Sequence, residues 1–275
     1  MLNRVGFSDD DFLFVLGDVI DRGEDGIKIL KWMMSQSNME LIMGNHEAMM
    51  LSCEFLFDEI TEESISNLTG SKLDLYLNWE QNGARPTINA LHSVRSEEIN
   101  YILEYLHEVP LYETVSAGGK DFLLSHSGLG NFDKNKKLSE YSNDDFLWNR
   151  PKIDDRYFDD IMTVFGHTPT IYYGEEYKGK AVVTDTWIDI DAGTSCGFSP
   201  MLLRLEDGKI RLPFSSLPGV GGAAADSLAE TGKHTEYLSI EDMQIKTKVT
   251  KAVIETLKDV GVLKDLPESS QMSLF

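Results

Sequence analysis

Two short apolar runs constrain this chain more than any other feature. Phe12 to Leu16 ends in Gly17-Asp18-Val19-Ile20-Asp21-Arg22-Gly23, and Leu41 to Met43 ends in Gly44-Asn45-His46-Glu47. Apolar runs this short, closed by glycine and then polar residues, read as buried parallel strands that empty into functional loops. Between them, Gly26 to Ser35 places Ile27, Leu30 and Met34 at helical spacing, so the unit is strand, loop, helix, strand, loop. In open sheets of such units the chemistry collects at the carboxyl ends of the strands. Here those ends offer oxygen and nitrogen donors, which suit a hard or borderline divalent metal.

Residues 48–112 read as a helical layer or lid. Ala48 to Phe57, Ile60 to Leu68, Leu73 to Trp79 and Ile99 to Leu106 carry apolar residues at helical spacing. Asn82 to Pro86 interrupts the block and Pro110 closes it. Leu111 to Val115, the Gly118-Gly119 turn and Asp121 to Leu124 form a predicted hairpin that delivers Ser125-His126-Ser127-Gly128-Leu129. Ile161 to Phe165 delivers Gly166-His167-Thr168-Pro169, and Ala181 to Thr184, Trp187 to Ile190 and Met201 to Leu205 are further strands. The predicted fold class is α/β: a two-sheet sandwich flanked by helices. From Arg211 onward the sequence reads as a small helical appendage, with helices over 222–230 and 248–260.

Composition narrows the function. A net charge of -21 and a pI near 4.6 oppose wholesale nucleic-acid binding. Cys53 and Cys196 show no pairing pattern and read as small buried residues of a reducing compartment. No signal peptide or membrane-length apolar run is present, so the expected location is the cytoplasm.

Asp18, Asn45, His126 and His167 each follow a predicted strand, and together they would make a mixed nitrogen and oxygen site for Mn, Fe or Zn. The motifs GDVIDRG at 17–23, GNHE at 44–47, HSGL at 126–129 and GHTP at 166–169 resemble the calcineurin-like metallophosphoesterases. The resemblance is closest to the phosphoprotein phosphatase branch with its bacterial and phage serine/threonine phosphatases, and it covers roughly residues 7–210. It implies a metallophosphoesterase-type sandwich, a two-metal site, and hydrolysis of phosphate monoesters by metal-activated hydroxide. By the same likeness Asp18 would bridge two divalent ions, manganese first among them, with Asn45, His126 and His167 completing the second ion's shell. His46, oriented by Asp21, would be the general acid, while Arg22 and Arg150 of Trp148-Asn149-Arg150-Pro151 would bind phosphoryl oxygens. Trp148 itself reads as core. The substrate would be a phosphoprotein or a nucleotide.

The family's first motif, GDxHG, is absent, and no Asp-x-His occurs in residues 1–275. The expectation is therefore an N-terminally truncated phosphatase domain over 1–210 with an incomplete first metal site. Leu217-Pro218-Gly219-Val220-Gly221 resembles a helix-hairpin-helix element, and residues 211–275 resemble the end of the Gram-positive-type replicative DNA polymerase alpha subunit. Gln271 to Phe275, QMSLF, is similar to peptides that bind the replication sliding clamp. With seven Lys/Arg against nine Asp/Glu over 211–275, the appendage has no basic patch and is expected to bind nucleic acid weakly. Two readings follow: a metal-dependent phosphoesterase, or a catalytically impaired phosphatase-like module docking on the clamp through QMSLF.

Overall fold

The computed structural model describes residues 2–5, 7–59, 61–211, 217, 219–259 and 261–269. The first apolar run forms β1 (Leu13–Val15) and pairs in parallel with β2 (Met39–Leu41), Val15 lying opposite Leu41. The second strand thus ends where the sequence predicts it to begin, and Ile42 and Met43 continue as buried extended chain toward the loop. Helix Gly26–Met34 connects the two and buries Ile27, Leu30 and Met33. Beyond β2 a helix starts directly at Asn45 and runs to Ser52, so that Asn45, His46 and Glu47 form its first turn.

A second, five-stranded sheet has the order β3-β4-β5-β7-β6. Its strands are β3 (Tyr112–Ala117), β4 (Lys120–Ser125), β5 (Ile161–Phe165), β6 (Val182–Val183) and β7 (Trp187–Asp189). β4, β5 and β7 are parallel, while β3 and β6 run antiparallel at the edges. Strand alternation divides the side chains between two faces. Phe122, Leu124, Val164 and Ile188 meet Ile42, Phe14 and Leu16 from the first sheet in one apolar layer. Leu123, Phe165 and Trp187 point the other way, onto Tyr141, Phe146 and Tyr157. This is the expected α/β sandwich.

The far face of the first sheet is covered by the helical layer, Gly70–Gln81, Arg85–Leu91 and Ser96–Glu108 among its elements. Trp79, Leu91, Ile102 and Leu106 are buried there with Leu30, Met33 and Met50. Next come β8 (Leu202–Arg204) and β9 (Lys209–Arg211), a hairpin whose Leu203 joins the inter-sheet layer. Three helices follow: Gly222–His234, Ile240–Thr247 and Lys251–Asp259. Their own core contains Val220, Leu228, Ile240, Met243, Val253 and Leu257. The middle helix is absent from the sequence reading, because Ile240 and Met243 give too weak a stripe over eight residues to stand out. No described helix is long and apolar enough to cross a membrane.

One of the two cysteines differs from the expectation. Cys53 is buried, but Cys196 is exposed in the short 3₁₀ turn Thr194–Cys196 between two left-handed glycines. Burial pushes the Cys53 thiol up to about 11, above the ordinary value, so it stays protonated where a free thiol ionises. Titration of the native protein with a thiol-specific disulfide reagent at about pH 8 should therefore modify Cys196 quickly. Cys53 should react only after denaturant is added.

Candidate metal centre and its surroundings

The loops after β1, β2, β4 and β5 meet at one end of the two sheets, and their backbones are constrained there. Asp18, Asp21, Arg22 and His167 have φ of 56°, 67°, 58° and 67°. Left-handed conformations at non-glycine residues cost on the order of 1–3 kcal/mol each and persist only when the surroundings enforce them. For the first loop, the enforcing group is Glu47. Its carboxylate, fully buried, accepts from the amides of Asp18 and Val19 at 2.8 Å, Ile20 at 3.3 Å and Gly44 at 3.2 Å. Burial and the nearby Asp18 carboxylate push the Glu47 carboxyl above its ordinary value, and the Asp18 and Ile20 amides oppose the shift. The two strand ends also touch directly. A Cβ on Gly17 would lie 2.5 Å from Gly44 Cα, and one on Gly44 would lie 2.4 Å from the Asp18 nitrogen. Only glycine fits at either place.

This approach brings the four predicted ligands together. His126 Nε2 stands 2.9 Å from Asn45 Oδ1 and 3.1 Å from His167 Nδ1, and His167 Nδ1 stands 3.0 Å from Asn45 Oδ1. Asp18 Oδ1 lies 3.4 Å from His126 Nε2. Among the described residues, Asp18, His126 and His167 offer ligand atoms that all lie within 4.8 Å of one another. The Nδ1–H of His126 donates to the Leu16 carbonyl at 2.6 Å, so in the neutral ring Nε2 carries the lone pair. Burial, with His126 beside it, pulls His167 down to about 3, so this ring is neutral. Burial opposes ionisation of Asp18, yet the neighbouring imidazoles hold its carboxyl below the ordinary value.

Asn45 Oδ1, His126 Nε2 and His167 Nδ1 therefore stand about 3 Å from one another. His167 Nε2, buried, has no hydrogen-bond partner. Ligand atoms bonded at about 2.1 Å in adjacent octahedral positions are separated by roughly 3.0 Å, so the spacing and the donor types fit one divalent cation.

His46 lies beside this group, its ring almost wholly buried and Nε2 3.9 Å from Asp18 Oδ2. Its Nδ1–H donates to Asp21 Oδ2 at 2.6 Å, and its Nε2 accepts from Arg22 Nη2 at 2.7 Å. Arg150 approaches from the opposite loop. Its Nη1 makes long contacts to the His167 carbonyl and Thr168 Oγ1, at 3.5 and 3.4 Å, and the residue is exposed. A groove of about 530 Å³ opens there, lined by Arg150, Lys152, Ile153, Tyr172 and Tyr173 among others. Trp148, expected in the core, is instead 41% exposed, with its ring edge-on to His167 at 6.1 Å. The helix Asn143–Leu147 ends just before it, so Phe146 and Leu147 take the buried positions.

Several groups at the site escape the sequence reading. Glu47 was visible within GNHE, but a glutamate in a helix's first turn gives no sign of binding a loop 27 residues earlier. Trp79 and Thr87 reach Asp21 from the helical layer, with nothing in their local sequence to announce it. Asp191 follows β7, a parallel strand whose end carries none of the four motifs. Burial raises its carboxyl, and Asp18 adds to the shift. Replacing Glu47 with glutamine would put an amide NH₂ against backbone N–H groups. Glu47→Gln should lower stability by about 1–3 kcal/mol, read as a shift in the urea midpoint.

Comparison with known proteins fits this geometry. The calcineurin-like phosphoesterase family matches residues 1–193, and a helix-hairpin-helix motif matches residues 194–272. A segment of 71 residues is 42% identical to the PolC-type DNA polymerase III of Thermotoga maritima, covering 26% of this chain and 5% of that one. Another of 63 residues is 51% identical to the PolC-type enzyme of Caldanaerobacter subterraneus, covering 23% and 4%. These matches thus take in about a twentieth of the relatives' length. A hypothetical protein of Pyrococcus horikoshii aligns over 89% of this chain and 87% of its own at 13% identity, with a TM-score of 0.38, too slight a likeness to carry an argument. With the family matched over more than half its residues and the ligand set gathered at the strand ends, this chain belongs to the calcineurin-like phosphoesterases.

Proposed function

We propose that this chain hydrolyses phosphate monoesters in the manner of a serine/threonine protein phosphatase. The observation that carries the reading is the triangle of Asn45 Oδ1, His126 Nε2 and His167 Nδ1 beside Asp18, with an Asp21–His46 pair and Arg22 next to it. Asp18, Asn45, His126 and His167 would hold a divalent cation, manganese being the first candidate. When bound, such a cation supplies Lewis-acid polarisation of water and offsets phosphoryl charge.

The chain's own groups account for the remainder. Arg22 leaves His46 for the phosphoryl oxygens, where its planar fork fits better than lysine would, and Arg150 closes from the groove side. With Arg22 gone, His46 Nε2 is free to take a proton from solvent, while its Nδ1–H stays on Asp21. A water oxygen attacks phosphorus in line and carries its protons into the phosphate that is released. The bond to the leaving oxygen breaks with its electron pair on that oxygen, which takes the Nε2 proton of His46. The groove beside Arg150 receives the body of the substrate, a phosphorylated protein segment or a nucleotide.

A second reading rests on the polymerase likeness. In it the C-terminal helices tie the phosphoesterase body to a replication complex, with Gln271 to Phe275 docking on the sliding clamp. That peptide lies outside the described residues.

Hydrolysis of phenyl phosphate in Mn²⁺ tests the first reading. Asp18→Asn should abolish turnover. His46→Asn should lower kcat about 10²- to 10⁴-fold, the usual worth of a positioned proton donor. Turnover unchanged in both variants would overturn the assignment.

A further inference from the structure

The Asp21 carboxylate does more than meet His46. It is buried, and its remaining bonds all come from the helical layer. Trp79 Nε1–H donates to Oδ2 at 2.8 Å, the same oxygen that takes the His46 proton at 2.6 Å. The Thr87 hydroxyl donates to Oδ1 at 2.6 Å, and its oxygen accepts from the Asp21 amide at 2.8 Å. The same layer holds the next residue, since the Arg22 amide donates to the Gly83 carbonyl at 2.9 Å. Gly83 sits against the Arg22 side chain, where a Cβ would lie 2.9 Å from Cγ.

Trp79 and Thr87 are themselves almost fully buried and lie on separate helices, Gly70–Gln81 and Arg85–Leu91. Neither touches the metal-ligand group in any bond described. A buried carboxylate with one partner would be costly and free to rotate; one with donors on both oxygens has a fixed plane. The left-handed backbones of Asp21 and Arg22 are held by the same contacts.

We propose that Trp79 and Thr87 are positioning residues for proton donation, and that the helical layer serves to orient the Asp21–His46 pair. The inference rests on the phosphomonoesterase reading for its kinetic consequence and on geometry alone for its structural one. With both donors present, His46 keeps Nδ1–H on Asp21 and aims Nε2 at the leaving oxygen. With either lost, the Asp21 plane turns, the ring follows, and the leaving oxygen departs without an aligned proton. Hydrolysis then slows in proportion to how much the leaving group needs that proton. Nitrophenolate departs readily unaided, whereas phenolate does not.

The test uses the full chain in Mn²⁺ with p-nitrophenyl phosphate and phenyl phosphate, and the variants Trp79→Phe, Thr87→Val and Thr87→Ser. Trp79→Phe and Thr87→Val should lower kcat for phenyl phosphate by about tenfold or more, the worth of a hydrogen bond to a charged group. Their p-nitrophenyl phosphate turnover should stay within about twofold, and Thr87→Ser, which keeps the hydroxyl, should follow the parent. Proton NMR gives an independent reading. The His46 Nδ1–H, locked on Asp21, should resonate far downfield in the parent and in Thr87→Ser, and should be lost or shifted in Trp79→Phe and Thr87→Val. An equal fall for both substrates, or variants that match the parent in both measurements, would overturn the proposal. Should the parent hydrolyse neither ester, the phosphomonoesterase reading fails, and the resonance alone decides for or against the positioning role.

Discussion

One buried carboxylate holds the centre of this structure together. Glu47 gathers the amides of Asp18, Val19, Ile20 and Gly44, and thereby fixes the loop after β1 to the helix that begins after β2. The contact of Gly17 with Gly44 is possible only because neither has a side chain. From these two facts the rest follows. Asp18 is held with its carboxylate toward His126, its backbone in a conformation that few aspartates adopt, and the amide of His46 donates to the same carboxylate at 3.2 Å. A parallel pair of three-residue strands could not impose this alone.

The electrostatics follow a single theme. In a chain with 46 acidic and 25 basic residues, the described site gathers nitrogen and oxygen atoms that could hold a metal ion. Two imidazole nitrogens, an amide oxygen and a carboxylate converge there. Beside this cluster, Asp21 takes three side-chain donors, from His46, Trp79 and Thr87. The first arrangement could hold a metal ion, and in the second Asp21 fixes an imidazole.

Much of this was legible in the sequence, and the reasons are local. Apolar runs ending in Gly-Asp, Gly-Asn and Gly-His mark strand ends with short-range signals, and Asp18, Asn45, His126 and His167 could be picked out one loop at a time. The apolar run Phe122 to Leu124 after the Gly118-Gly119 turn likewise announced a strand. What escaped depends on contacts distant in sequence. Thr87 meets Asp21 across 66 positions, and Trp79 meets it across 58, a relation that exists only after the helical layer has folded onto the first sheet. Trp148 was misplaced because aromatic residues are usually core, while here Phe146 and Leu147 fill that space first. Helix Ile240–Thr247 was missed because its burial is against its neighbouring helices rather than along a long stripe of its own.

The central claim is that Asp18, Asn45, His126 and His167 form a cation site, and Mn²⁺ binding followed by calorimetry and by the electron paramagnetic resonance of free Mn²⁺ tests it most directly. The account requires saturable binding to the parent chain that disappears in His126→Ala, a change that leaves the Glu47 contacts in place. A parent chain that binds no Mn²⁺ or Zn²⁺, or a His126→Ala variant that binds as the parent does, would contradict it.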